Sequence, residues 1–423
     1  MAKKGAIAIM KSIKLLEKLK KIIHDDKTLE TSRQQKNAFT RNRKMPFASA
    51  LTFMLDMRKT TIQTRLNMYF DHNKKGEPMS QQAFSKQRAN FDHTPFVAML
   101  GEIVGEEYSG KYELPLWNGY HLFGVDGSYL QLPKTAELYQ EFCIKGRQEQ
   151  CPSAGISVLF DVLHGWVLDP IITRGTMNER TECEKHIRFF AEKFPNIAKN
   201  SIILLDRGYP SENLFKTIEA KGIKFLARCK SNYCKKTQTA SMGDSIVELN
   251  DDLSVRVFKF TLPSGETETL LTNLFEIPSE ELPMLYALRW GVETAYFRFK
   301  RELCVEKFSG KTPNSIRQDF WASMVLLNSV AVFQREADDA VCKRQKGKNP
   351  KNQNRARTSD LIITLRDRFV FATLCGRSIL TGFEIKRIIN AMARVVSPVR
   401  PGRSFPRVHR PFLIANSNLK SHL

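Results

Sequence analysis

Ser201-Ile-Ile-Leu-Leu-Asp206 sets four aliphatic side chains in a row between two polar ends. The run is too short for a helix and does not alternate, so it reads as a buried central strand. Residues 211–221 then show helical spacing, and Ile223–Arg228 reads as a second strand, which makes a β-α-β unit. Upstream, Tyr120-His-Leu-Phe-Gly-Val-Asp126 reads as a strand ending at Asp126, with Gly127 turning into Tyr129-Leu-Gln-Leu132. Gly155-Ile-Ser-Val-Leu-Phe160 and Trp166-Val-Leu-Asp-Pro-Ile-Ile172 follow, broken by His164-Gly165, so this region predicts an antiparallel meander. Residues 178–193 predict a helix with Ile187, Phe189, Phe190 and Phe194 inward.

Three antiparallel strands followed by alternating β and α place the chain in the α/β class, in the element order of an RNase H-like core. Residues 229–275 interrupt that rhythm. Leu253–Thr261 and Thr267–Leu274 read as strands around a Pro263-Ser-Gly265 turn, and predict a β-rich insertion. Helices are expected over 278–303, 313–336, 359–373 and 381–395. The first 110 residues read as helical and basic: an amphipathic segment at 6–23, helical spacing from Pro46 to about Tyr69, and a turn at 73–78. Ser80 is placed to N-cap a helix over Gln81–Asn90. The Gln81, Gln82, Lys86, Gln87, Arg88 and Asn90 side chains there suit base edges and phosphates, and equally suit a solvated polar face. The expected division is a helical, basic N-terminal DNA-binding region (1–112), a catalytic core with its β-rich insertion (113–310), and C-terminal helices (311–423) with a basic loop at 343–357 and a basic tail.

The 66 Lys+Arg against 44 Asp+Glu give a net charge of +22, which favours a polyanionic partner, nucleic acid ahead of an anionic membrane surface. No run of 18 apolar residues exists, so no transmembrane span is expected, and Lys11 and Lys14 interrupt the N-terminal apolar patch too early for a signal peptide. The eight cysteines are scattered; Cys229 and Cys234 lack the second pair a zinc knuckle needs, and free thiols in a reducing cytosol are the expectation. The segment 343–357 holds seven cations and no acid, too polar to fold alone.

Two features carry chemistry. Asp126 and Asp206 each end an apolar run, and carboxylates emerging on neighbouring strands repel unless something pairs with them. A divalent cation with a preference for oxygen ligands offsets that repulsion. Each aspartate alone is equally a turn cap. The second feature is Tyr286-Ala-Leu-Arg289-Trp-Gly-Val-Glu293-Thr-Ala-Tyr-Phe-Arg-Phe-Lys300. On a regular helix its Tyr286, Arg289, Glu293 and Lys300 fall within a sector of about 60°. One stripe then carries a metal-capable carboxylate between cations. The Arg289–Glu293 spacing alone would also suit a plain surface ion pair. Asp161 and Asp169 read as hairpin corners.

These residues resemble a bacterial insertion-sequence transposase of the DDE type, in the group with the signature Tyr-x2-Arg-x3-Glu-x6-Lys, which residues 286–300 match at every position. Phe-Gly-Val-Asp126-Gly-Ser and Leu-Leu-Asp206-Arg-Gly-Tyr are similar to that group's two aspartate motifs, and Arg400-Pro-Gly-Arg-Ser-Phe-Pro406 to its end motif. The resemblance implies an RNase H-like fold with a β insertion between Asp206 and Glu293. It implies two Mg²⁺ or Mn²⁺ ions held by Asp126, Asp206 and Glu293, with Arg289, Lys300 and Arg207 on phosphates and Tyr286 positioning the cut strand. It further implies cleavage at transposon ends and strand transfer into target DNA, within a homodimer bound to double-stranded DNA (terminal inverted repeats and target), in the bacterial cytoplasm on the nucleoid. A DDE nuclease that does not integrate, and a non-catalytic DNA-binding protein on the same scaffold, stay open. The insertion has no tryptophan on which a flipped base would stack; Trp290 lies in the signature instead and is expected in the core.

Overall fold

The computed structural model describes residues 2–399 apart from 42, 111–112, 144–150, 348–352 and 375–377. The chain opens with helices α1 (Ala2–Ile23), α2 (Asp26–Ser32), α3 (Phe47–Met54), α4 (Ile62–His72), α5 (Gln81–Arg88) and α6 (Thr94–Glu107). Ser80 caps α5 as its sequence predicts, its hydroxyl accepting from the Ala83 N–H. The single helical run expected from Pro46 to Tyr69 is two helices, α3 and α4.

Then come β1 (His121–Gln131), α7 (Ala136–Phe142), β2 (Ser153–Asp161), β3 (Trp166–Arg174), α8 (Glu179–Lys193), α9 (Pro195–Lys199), β4 (Ser201–Leu205), α10 (Glu212–Ala220) and β5 (Lys224–Cys229). After α11 (Lys235–Thr239), the strands β6 (Gly243–Asn250), β7 (Leu253–Thr261) and β8 (Thr267–Thr272) complete one mixed sheet, ordered β3-β2-β1-β4-β5-β8-β7-β6. The expected meander and β-α-β unit are its first five strands: β1 pairs antiparallel with β2 and parallel with β4, and β4 runs parallel to β5. The 229–275 segment extends this sheet from β5 through β8, and supplies a strand, β6, that the sequence did not announce.

Several expectations change. Asp126 does not end a strand: β1 continues to Gln131, and Asp126 marks where that strand passes from buried to half-buried. Ile187 and Phe190 are buried in α8 on the same face as Cys183 and His186, whereas Phe189, about 200° round the helix from Ile187, lies on the outer face. Asp161 is a corner, accepting from the Leu163 and His164 N–H groups. Asp169 instead lies within β3, where His186 Nδ1 stands 2.7 Å from its carboxylate.

The chain ends with α12 (Leu282–Ala287), α13 (Trp290–Phe297), the 33-residue α14 (Pro313–Gln345), β9 (Asn354–Ala356), α15 (Thr358–Arg368), α16 (Ser378–Met392) and β10 (Val396–Pro398), which pairs with β9. The basic segment 343–357 therefore begins inside α14, passes through β9 and ends at Arg357, the cap of α15; its residues 348–352, and the motif 400–406, lie outside the described residues. One apolar cluster joins α1, α3, α4 and α6 to α14, α15 and α16. A second lies between the sheet and α8 and α10. No described helix is long and apolar enough to cross a membrane, and the described cysteines are free.

Candidate active site

Asp126 and Asp206 are placed by strand register. β1 and β4 pair with an offset of 80 residues, from His121↔Ser201 to Gly124↔Leu204. Asp126 and Asp206 keep that offset (206 − 126 = 80) just beyond the last pair, on adjacent parallel strands. Asp206 follows the five-residue β4, whose residues are all buried. The carboxylate then turns back on its own chain, and the Arg207 N–H donates to Asp206 Oδ1 at 2.8 Å.

The signature segment crosses β1. Gly124 stands two residues before Asp126, and a Cβ added to it would overlap Val292 Cγ2. Only a glycine lets α13 lie this close to the strand. Val292 thereby fixes the height of its neighbour Glu293 above the sheet. Gly291 faces Val162 in the same contact, so Gly291 and Val292 take the inward positions and Trp290 turns out, 54% exposed rather than in the core.

The segment is not one regular helix. Between α12 and α13 the N–H groups of Leu288, Arg289, Gly291 and Val292 bond three residues back, as in a 3₁₀ turn. After α13, Arg298–Glu302 forms a π turn. Tyr286, Arg289 and Glu293 still converge. Tyr286 Oη donates to Asp206 Oδ1 at 3.2 Å, and Arg289 Nη2 lies 2.6 Å from Glu293 Oε1 and 3.9 Å from Asp206 Oδ2. The Arg289 guanidinium also lies over the Tyr286 ring, 5.8 Å from its centroid. Lys300 does not join them. The wider π turn carries it to β1, where its Nζ donates to the Tyr129 carbonyl at 2.6 Å. The Arg207 side chain is exposed.

The two aspartates differ electrostatically. Burial pushes the Asp126 carboxyl up to about 6, with Asp206 and Glu179 adding to the rise and Arg289 opposing it. Burial pushes Asp206 up as well, but the Arg207 N–H, Arg289 and the Tyr286 hydroxyl outweigh it and hold that carboxyl below its usual range. Burial pulls the Lys300 ammonium down. Burial also acts against the charge on Arg289, yet Tyr286, Asp206, Glu293 and Asp126 together keep its pKa above the ordinary value.

The donor set fits a hard divalent cation: carboxylate oxygens on neighbouring strands, one of them raised by burial, a rise that a cation would relieve. Among the described residues, no three His, Cys, Asp or Glu side chains stand close enough to hold an ion. Instead Arg289 draws Glu293 to itself and lies near Asp206. Its own Nη1 is buried without a hydrogen-bond partner among the described residues, and a buried cationic donor of this kind suits an anion.

Sequence reasoning missed three groups here. Tyr296 Oη donates to the Asp126 carbonyl at 2.8 Å; it lies within the signature, and its spacing gave no hint of this. Ser157 Oγ lies 3.4 Å from that same carbonyl and 2.9 Å from His186 Nε2, so Asp169, His186 and Ser157 form a buried chain behind β1. Glu179, first residue of α8, faces the glycines beside both aspartates. Its only sequence signal was the pair of glycines, Gly127 and Gly208.

Residues 117–329 match the transposase DDE domain. Over 335 residues the chain is 22% identical to the transposase InsG for insertion sequence element IS4 of Escherichia coli (strain K12), covering 73% of this chain and 72% of that protein. Its fold is similar to that of piggyBac transposase, seen by cryo-EM in a synaptic complex with hairpin DNA. That likeness has a TM-score of 0.50 and 12% identity, covering 92% of this chain and 87% of that one. The matched domain spans half of this chain, which belongs to the DDE transposases, enzymes that cut DNA strands and transfer them and that generally use divalent metal ions.

Proposed function

We propose that this transposase belongs to the insertion-sequence group with the Tyr-x2-Arg-x3-Glu-x6-Lys signature, and that Asp126, Asp206 and Glu293 are its cation ligands. The observation that carries the reading is the convergence of Tyr286 and Arg289 on Asp206 and Glu293, beside the strand that bears Asp126. In this reading β1 to β5 with α8 and α10 are an RNase H-like core and β6 to β8 its insertion. Residues 1–112 form the DNA-binding region, 113–310 the catalytic core and 311–423 the C-terminal region.

Asp126, Asp206 and Glu293 would hold two Mg²⁺ or Mn²⁺ ions per site, which when bound would supply Lewis acidity for phosphodiester chemistry. The protein's own groups do the rest. Arg289 offers its unpartnered Nη1 to a backbone phosphate, and its planar fork fixes the angle of approach. Tyr286 orients the strand against Asp206. Lys300 and Arg207 meet flanking phosphates, Lys300 after release from the Tyr129 carbonyl. Within α5, Gln81, Gln82 and Lys86 are exposed and suited to DNA, whereas Arg88 is buried against Asp319 and Gln318. The DNA substrates are the element's terminal inverted repeats and a target duplex, held by a homodimer on the bacterial nucleoid.

The test uses a duplex carrying the sequence that flanks the gene. With Mg²⁺, Glu293→Gln abolishes nicking at the element end and strand transfer, yet still shifts the duplex in a gel. Nicking at the wild-type rate by Glu293→Gln overturns the assignment.

A further inference from the structure

The chain from α13 into the π turn runs along β1, and three of its side chains, four residues apart, meet that strand. Val292 packs on Gly124, Tyr296 Oη donates to the Asp126 carbonyl at 2.8 Å, and Lys300 Nζ donates to the Tyr129 carbonyl at 2.6 Å. Side chains at this spacing share one helical face. That face is therefore the seam between the segment that carries Glu293 and the strand that carries Asp126. Tyr296 makes the middle contact, three residues after Glu293, and its target is the backbone of Asp126 itself.

Packing does not explain the hydroxyl. The Tyr296 ring is half-buried against the apolar cluster that holds Val292, Ala295 and Phe299, and that contact asks for a ring alone. Nor is the phenol the sole donor near the Asp126 carbonyl, since Ser157 Oγ stands 3.4 Å from the same oxygen. What the hydroxyl adds is a directed link of fixed length between α13 and Asp126. The flanking contacts fix that spacing less. Val292 on Gly124 is an apolar contact without direction, and Lys300 reaches β1 on a flexible four-carbon stem.

We propose that Tyr296 is a positioning residue for strand cleavage, whose hydroxyl acts through the Asp126 backbone to set Glu293 relative to Asp126. The inference rests on reading Asp126 and Glu293 as parts of the cleavage site. Tyr296 touches no reacting atom in this role. Its effect on rate comes from geometry, because displacing a reacting group by about 1 Å can cost on the order of 10²-fold.

The test is Tyr296→Phe in the full-length protein, which keeps the ring and removes one oxygen. With Mg²⁺ and saturating duplex that carries the element end, single-turnover cleavage falls about tenfold or more. Half-saturation in a gel-shift titration with the same duplex stays at the wild-type value. In the protein without metal or DNA, amide hydrogen exchange quickens in Trp290–Phe297 and not in α14. Cleavage at the wild-type rate by Tyr296→Phe, or unchanged exchange in Trp290–Phe297, overturns the role. So does a loss of duplex binding that matches the loss of cleavage, because the hydroxyl then serves the fold as a whole. Glu293→Gln, run beside it, separates the two readings: if that variant is inactive, failure of the Tyr296 test leaves the site assignment standing. If Glu293→Gln cleaves at the wild-type rate, both fall.

Discussion

Arg289 and Glu293 are bound to each other at 2.6 Å across one turn, with Asp206 3.9 Å from the same Nη2 atom. The guanidinium therefore neutralises two carboxylates that otherwise crowd one cleft. Arg289→Met leaves both without their counter-ion and is expected to destabilise the fold by roughly 1–3 kcal/mol, read from the urea midpoint. Single-turnover strand cleavage should fall by about 10²–10³, because the charge proposed to face the phosphate is lost. Arg289→Lys keeps the charge without the fork and should retain part of the activity. Full cleavage by the Met variant would remove Arg289 from the phosphate-binding role.

The buried chain Asp169–His186–Ser157 has the residue order of a hydrolase triad, but Ser157 and His186 are both 0% exposed. Its work is structural: Ser157 Oγ reaches the Asp126 carbonyl, and Tyr296 holds the same oxygen. His186→Leu strands the Asp169 carboxylate and should cost about 2–4 kcal/mol. Ser157→Ala removes one weak bond and should cost about 1 kcal/mol. A serine-directed fluorophosphonate should leave the native protein unlabelled; labelling at Ser157 would mean that the chain opens to solvent.

Glu336 on α14 accepts from the Ser12 N–H at 2.9 Å and the Ser12 hydroxyl at 2.6 Å, fastening α1 to α14. Burial pushes its carboxyl up to about 7, from an ordinary value of 4.5, with the Ser12 bonds opposing the rise. The unfolded chain ionises first as pH rises. Between those two values the folded state binds more protons, so this group makes stability fall with rising pH, by up to about 3 kcal/mol in all. Urea midpoints at pH 5 and pH 8 should show that fall in the wild type and a flatter response in Glu336→Gln. Equal pH dependence in the two proteins would show that Glu336 is ionised as easily folded as unfolded.

Much of this site was legible because burial writes itself into sequence. Ile202–Leu205 could only be an inner strand, and the carboxylate after it had to find a partner. The placement of Asp126 beside Asp206 needed the register of β1 on β4, which no local pattern specifies. The signature suggested one straight stripe, yet packing of Gly291 and Val292 on β1 and its hairpin tightens the chain before α13, and a π turn widens it after. Lys300 consequently leaves the stripe and Trp290 leaves the core. Glu179 and His186 meet their neighbours over long sequence distances, so spacing alone gave them no role, and Arg88, read as suited to bases and phosphates, is instead buried against Asp319 and Gln318.

The contact of Gly124 with Val292 offers the sharpest check on how Glu293 is held. Gly124→Ala puts a methyl where Val292 Cγ2 stands. The strand is central in the sheet, so α13 must yield, at about 1–3 kcal/mol, and Glu293 moves away from Asp126. Val292→Ala alone opens a small void and costs about 1–2 kcal/mol. Together the two changes place one methyl group on β1 and remove two from Val292, including the Cγ2 that the new Cβ would meet. The double variant should be more stable than the sum of the single losses predicts by about 1 kcal/mol or more, and should recover cleavage that Gly124→Ala loses. Additive losses in a urea double-mutant cycle, with no recovery of cleavage, would show that Glu293 is set in place by something other than this contact.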